Sequence, residues 1–286
     1  MADKHIDELS GVETTGHEWD GIRELNNPMP RWWVYTFYAT IVWSLGYAIA
    51  YPAWPLITDA TKGVLGYSSR SELAESVKVA ADAQKVFKDQ VAAASVEDIA
   101  KNPELLQFAL NGGDAAFKVN CITCHGTGAM GGPGYPNLND DDWLWGGTLD
   151  QIYHTIRFGV RNEHPDSRTS EMPAFADMLE PGQIRQVAAY VVSLTMKPSD
   201  PALVEPGKQL FIDNCASCHG EKAEGNQELG APSLADAIWL KGDTEDAIAR
   251  QIAAPRHGVM PGWADRLSDT TIKELAVYVH SLGGGQ

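Results

Sequence analysis

Apolar and polar positions follow three regimes along this chain. Residues 1–31 are mixed and acidic, and from Trp32 to Thr58 no Asp, Glu, Lys, Arg or His occurs. About 20 such residues suffice to cross a hydrocarbon layer as a helix. Trp32, Trp33, Tyr35 and Tyr38 crowd one end and Tyr47, Tyr51 and Trp54 the other, as interfacial belts would, while Pro52 and Pro55 mark where a helix must stop. The pattern predicts a transmembrane helix over 32–57. It does not suit a cleaved secretory signal, because the run begins only at residue 32, is too long, and follows a tail with seven acidic residues and only Lys4 and Arg23. Residues 58–107 read as a helical spacer, with 71–94 rich in Ala, Lys, Glu and Gln; that helix suits either a plain spacer or a docking element for a partner subunit. Further on, Ile184, Val187, Val191 and Leu194 recur near helical spacing, and Ile272, Leu275, Val279 and Leu282 do the same. Gly- and Pro-rich loops such as Gly126–Gly134 separate the elements.

The second half of the chain is a repeat. Cys121-Ile122-Thr123-Cys124-His125 and Cys215-Ala216-Ser217-Cys218-His219 consume all four cysteines. C-x-x-C-H is the attachment motif of c-type haem: two cysteines three apart form thioethers to both vinyl groups of one porphyrin and leave the histidine beneath the iron. Zinc would need a further Cys or His pair for each site, and a redox dithiol a βαβ context. Two covalently bound haem c groups follow, held by Cys121, Cys124, Cys215 and Cys218, with His125 and His219 as axial ligands. Downstream, Pro136 and Trp143 match Pro232 and Trp239, and Met172-Pro173 matches Met260-Pro261, each Met eighteen residues before a tyrosine, Tyr190 or Tyr278. The repeat makes Met172 and Met260 the equivalent sixth ligands, each in its own repeat, and the following prolines hold them extended. Met130, Met178 and Met196 have no repeat partner. His5, His17, His154 and His280 read as solvated or structural; His164 and His257 lie closer to the methionine straps but would serve only in a rearranged protein.

Composition sharpens this. Twenty-two Lys and Arg stand against 38 Asp and Glu, a net charge of −16, which excludes a nucleic-acid partner bound by phosphate neutralisation. Covalent haem attachment in bacteria takes place outside the cytoplasmic membrane, so the haem domains are expected in the periplasm and the tail, 1–31, in the cytoplasm. Nineteen basic against 31 acidic residues then fall on the haem side, a field suited to a basic donor protein or simply to solubility. With His and Met on both irons, neither has an open position, so electron transfer is the expected chemistry and no catalytic residue is expected.

The tryptophan-rich span, the spacer and the M-P-A-F-A-D and M-P-G-W-A-D straps after each C-x-x-C-H resemble the FixP or CcoP dihaem subunit, subunit III, of cbb-type cytochrome c oxidases, from about Asn26 onward. The resemblance implies an all-α fold, with one N-terminal transmembrane helix followed by two tandem class I cytochrome c domains, 108–197 and 198–286. It implies a single-pass protein of the bacterial inner membrane that takes electrons from a donor cytochrome c or a quinol-oxidising complex. These pass through a monohaem cytochrome c subunit to the haem-copper catalytic subunit. A dehydrogenase-linked dihaem cytochrome, a dihaem peroxidase and a free anchored carrier are the rival classes. Some family members have two N-terminal spans, so contacts of a second helix are not carried over.

Overall fold

The computed structural model describes residues 5–283; the first four residues of the expected tail and the last three of the second repeat lie outside them. The chain divides into two compact units, residues 1–82 and 83–286.

The first unit departs from an all-α fold. Strands β1 (Thr14–Trp19) and β2 (Ile22–Leu25) form an antiparallel hairpin. The turn is Asp20-Gly21, with φ of 47° and 81°, the pair of left-handed positions that a tight hairpin requires and that Asp-Gly supplies cheaply. Helix α1 (Arg31–Ala50) follows. It ends before Pro52, and Tyr51 takes the extended conformation a residue before proline prefers. The chain then folds back on the helix end, with Val64 N–H donating to Ile49 O at 3.0 Å and Leu65 N–H to Ala50 O at 3.1 Å. Thus the apolar run expected to be helical over 32–57 is helical only to Ala50. Among the described residues no helix is long and apolar enough to cross a membrane; in α1 the Trp, Tyr, Thr, Ser and Gly residues dilute the aliphatic ones.

Helix α2 (Ser69–Ala93) leads into the second unit, followed by α3 (Val96–Lys101) and α4 (Pro103–Asn120). Asn102 caps α4, accepting from Glu104 N–H at 3.0 Å and Leu105 N–H at 3.3 Å. The helix that leads into Cys121 is therefore 18 residues long and begins at Pro103, ahead of residue 108. The spacer's last turns join the core: Val91, Ile99, Leu105, Ala109 and Val277 are buried together.

The remaining elements are α5 (Ile122–His125), α6 (Leu149–Phe158), α7 (Pro181–Ser193), a 3₁₀ turn (Pro201–Leu203), α8 (Val204–Asn214), α9 (Ala216–His219), α10 (Glu245–Ala253) and α11 (Asp269–Ser281). They form two cores, and the cores do not follow the repeat boundary. One gathers Phe117, Ile152, Ile156, Ile272, Leu275 and Val279, from α4, α6 and α11, with Cys121 and Met260 packed against it. The other gathers Phe175, Ile184, Val187, Tyr190, Phe211, Cys215, Ile248 and Ile252, from α7, α8 and α10, with Met172 packed against it. Each repeat has exchanged its strap and last helix with the other. Residues from about 172 to 253 thus form one core, inserted in the chain between α6 and the strap of the other.

The exchange is held by matched backbone bonds. Phe175 N–H donates to Ile252 O at 3.1 Å and Ala176 N–H to Ala253 O at 3.2 Å; in the other core Trp263 N–H donates to Ile156 O at 3.2 Å and Ala264 N–H to Arg157 O at 3.0 Å. The two crossover segments meet where Val160 and Met260 exchange a pair of 2.9 Å bonds. Helix crossings match as well. Gly113 of α4 lies against Glu274 and Tyr278 of α11, and Gly207 of α8 against Gln186 and Tyr190 of α7, so closely that neither has room for a Cβ. The ring pairs Phe117–Tyr278 and Tyr190–Phe211 close these crossings at 5.6 and 5.2 Å.

Candidate functional site

Each C-x-x-C-H begins where a helix breaks. Cys121 and Cys215 terminate α4 and α8, and the next residues form the single turns α5 and α9, which end in His125 and His219 before glycines with φ of 77° and 82°. The first cysteine of each pair is packed against its core, and burial pushes its thiol up to about 11 at Cys121 and at Cys215; Cys124 and Cys218 are exposed. All four thiols are free.

The histidines are prepared as ligands. His125 Nδ1 lies 3.1 Å from Pro136 O and His219 Nδ1 3.0 Å from Pro232 O. A carbonyl only accepts, so Nδ1 carries the proton and Nε2 presents its lone pair. Burial lowers both imidazoles below the usual histidine range, against the opposing effect of the proline carbonyl. Neutral imidazole with its far nitrogen tied to a carbonyl is the state that binds a metal. Beside each of those prolines is a cavity. One of about 190 Å³ is lined by Met130, Tyr135, Pro136 and Trp239. The other, of about 410 Å³, is lined by Trp143, Glu224, Pro232 and Asp236. Between them Asp142 is pushed up to about 6 by burial beside Asp236 and Asp140. Cysteines three apart followed by a histidine with Nδ1 tied to a carbonyl and Nε2 free fit attachment of a haem c at each motif.

The structure packs Cys121 and Met260 against one core, where Phe117 also meets the ring of His125, and Cys215 and Met172 against the other, while Cys124 and Cys218 are exposed. Repeat order suggests Met172 for the first motif and Met260 for the second, whereas the packing sets each methionine against the core of the other motif. Of the remaining histidines, His164 accepts at Nδ1 from Asp166 N–H at 3.1 Å and packs on Phe158 at 4.8 Å, a loop-building role. His154 also packs on Phe158, at 4.8 Å. The sequence reading missed Pro136 and Pro232 as histidine anchors, although both were visible as matched repeat positions.

Helical cores built around C-x-x-C-H turns define a protein of two haem c-binding cytochrome domains. Comparison with known proteins makes this particular. Residues 11–58 match the N-terminal domain of cytochrome oxidase-cbb3, FixP, and residues 108–191 and 202–279 match cytochrome c oxidase, cbb3-type, subunit III. The chain is 67% identical over 286 residues to the cbb3-type cytochrome c oxidase subunit FixPc of Rhizobium leguminosarum bv. viciae, and 65% identical over 290 residues to FixP of Rhizobium meliloti, with both chains of each pair covered in full. It is 50% identical to the subunit CcoP of Cereibacter sphaeroides, covering 96% of this chain and 95% of that one. The chain belongs to the cbb3-type cytochrome c oxidase subunit III family.

Proposed function

We propose that this chain is the membrane-anchored dihaem electron-relay subunit of a cbb3-type cytochrome c oxidase. The observation that carries the reading is the pair of histidines locked by Pro136 and Pro232 with Nε2 free, each beside a core into which a Met-Pro strap packs. Bound haem c supplies one-electron iron redox chemistry. Cys121 and Cys124 would attach one group and Cys215 and Cys218 the other, and His125 with Met260, and His219 with Met172, would hold the irons. Methionine opposite histidine favours a comparatively high potential and leaves no position for oxygen, so these residues suit relay rather than oxygen reduction.

The relatives are named as subunits of an oxidase. By that likeness the chain takes electrons from a donor cytochrome c or quinol-oxidising complex and passes them through a monohaem cytochrome c subunit to the haem-copper catalytic subunit. Helix α1 is the anchor in this reading, in a bacterial inner membrane with the haem domains in the periplasm and the N-terminus in the cytoplasm. Its 20 residues extend about 30 Å, and its only charge is Arg31 at the first position. None of its side chains is buried by protein. Its hydroxyls are satisfied within the helix: Thr36, Thr40 and Ser44 donate to Trp32 O, Phe37 O and Thr40 O at 2.9, 2.7 and 2.8 Å. Hydropathy averages penalise Trp and Tyr, which membrane interfaces favour.

Detergent extraction and native purification test the reading. Two covalent haems per chain and co-isolation with an oxygen-reducing haem-copper subunit are expected. A water-soluble protein, or one isolated with a dehydrogenase, would overturn it.

A further inference from the structure

A cluster of cations lies at the seam of the two cores, where the crossovers pass. Arg161 takes the left-handed conformation, φ 52°, which a non-glycine residue keeps only when its surroundings hold it there. Its Nε donates to Ser170 O at 2.8 Å and one Nη to Gly258 O at 3.3 Å, so it ties one crossover to the other. Arg168 donates to Thr155 Oγ1 at 3.0 Å. The two guanidinium carbons lie 5.7 and 5.3 Å from the ring of Trp145, which is buried and presses on Gly230 in the loop after the second C-x-x-C-H. Lys241 approaches Gly134 in the loop after the first, where Gly134 N–H donates to Leu240 O at 2.9 Å. Arg256 and Arg161 both act on Lys241 electrostatically.

Among the described residues none of Arg161, Arg168, Lys241 and Arg256 forms an ion pair within 4 Å. Glu171 is the only carboxylate acting on Arg161, from beyond contact. The chain has 38 acidic residues and a net charge of −16, and although Glu163, Asp166 and Glu171 lie in the same stretch of chain, none is within ion-pair distance of these cations among the described residues. Partly buried cations gathered without an anion are costly, and such a gathering is stable when an anion completes it. Burial lowers Arg161 and Arg168, and Lys241 is lowered by burial and by its cationic neighbours, which is the signature of charge without compensation. The loops that converge here, through Gly134 and Gly230, are the two that follow the haem-binding motifs.

We infer that Arg161, Arg168 and Lys241 form a shared anion site for the propionate carboxylates of the two haems, gathered at the seam between the cores. The assignment rests on the dihaem reading above. Arg161 and Arg168 each spend two donors on the fold, Arg168 also on Gln151 O at 3.4 Å, and keep their remaining N–H groups beside Trp145 for a carboxylate, while Lys241 adds a point charge from the other loop. Cations at the propionates favour reduced over oxidised iron, so removing one lowers a midpoint potential.

The test uses the detergent-solubilised, haem-loaded protein. Arg161→Gln, Arg168→Gln and Lys241→Gln are compared with Lys222→Gln, an exposed lysine on the loop after His219. Haem content is measured first, by mass and haemochrome absorbance; fewer than two haems in the wild-type chain overturns the dihaem reading and the assignment with it. With two haems attached, each seam variant is expected to lower at least one midpoint and shift the propionate bands of the redox-difference infrared spectrum, while Lys222→Gln does neither. Arg168→Lys, keeping the charge, is expected to recover most of the midpoint. If Arg161→Gln does not retain haem, Arg161→Lys replaces it: altered propionate bands support the assignment and wild-type bands oppose it. Unchanged midpoints and unchanged propionate bands in all seam variants overturn it.

Discussion

Gly207→Ala tests the helix crossing that holds the second core. A Cβ on Gly207 would sit 1.9 Å from Gln186 O, 2.5 Å from the Gln186 carbonyl carbon and 3.0 Å from Tyr190 Cβ. Carbon and carbonyl oxygen come to rest at about 3.3 Å or more, so α7 and α8 must separate by more than about 1 Å. The nearest atoms are backbone, which no rotamer change moves. Separation loosens Tyr190 from Phe211, a fully buried ring one turn from Cys215. Overpacking of this kind costs about 3 kcal/mol, and the better helix propensity of Ala returns about 1. The net loss of about 2 kcal/mol in a unit of about 200 residues corresponds to a Tm lower by about 4–8 °C. Gly182→Ala is the matched control, because on α7 its Cβ would meet nothing within 4 Å, and it should leave Tm unchanged or slightly raised. Thermal unfolding of the haem-loaded protein, followed by helical circular dichroism, measures both. If Gly207→Ala melts at or above the wild-type temperature, the close crossing is not what the geometry implies.

Other outcomes follow from the same structure. Glu274, buried on α11 beside Gly112 and with Oε1 unpaired, is pushed up to about 7 by burial against the opposing pull of Lys88. The folded state thus holds a proton that the unfolded chain releases near the ordinary Glu value, so this group's contribution to stability falls as pH rises from about 4.5 to about 7. Glu274→Gln should flatten that part of the stability profile in denaturant titrations at pH 5 and pH 8, and equal slopes in the two proteins would refute the burial argument. Met172→His and Met260→His should each remove the weak red methionine-to-iron(III) band of one haem and lower its potential, and unchanged titrations would reject these ligands. Turnover of the assembled oxidase with a basic donor cytochrome should fall as ionic strength rises; salt-independent turnover would leave the acidic surface a matter of solubility.

How far the chain could be read in advance depended on the range of the interactions involved. The C-x-x-C-H turns and the last helices α7 and α11 are local patterns, and the structure places them as elements where the spacing put them. The Asp20-Gly21 hairpin is a local signal too, an Asp-Gly pair between two short strands. The exchange of straps was not legible. Two repeats of one pattern offer Met172 and Met260 similar surroundings in either core, and only contacts between residues far apart in the chain, such as Phe175 with Ile252 and Trp263 with Ile156, decide between them. The histidine anchors were half visible: the matched Pro136 and Pro232 were evident, but a backbone carbonyl leaves no mark in a side-chain pattern. The seam cations were not legible, because Arg161 and Arg168 lie in the loop after α6 and Lys241 in the loop before α10, some 70 residues on.

The central claim is that each haem is held by residues of both repeats. An experimental density map of the haem-loaded protein at a resolution that shows axial bonds tests it most directly. The account predicts Met260 Sδ on the iron of the haem attached at Cys121 and Cys124, and Met172 Sδ on the iron of the haem attached at Cys215 and Cys218. Met172 bound at the first haem and Met260 at the second would contradict it.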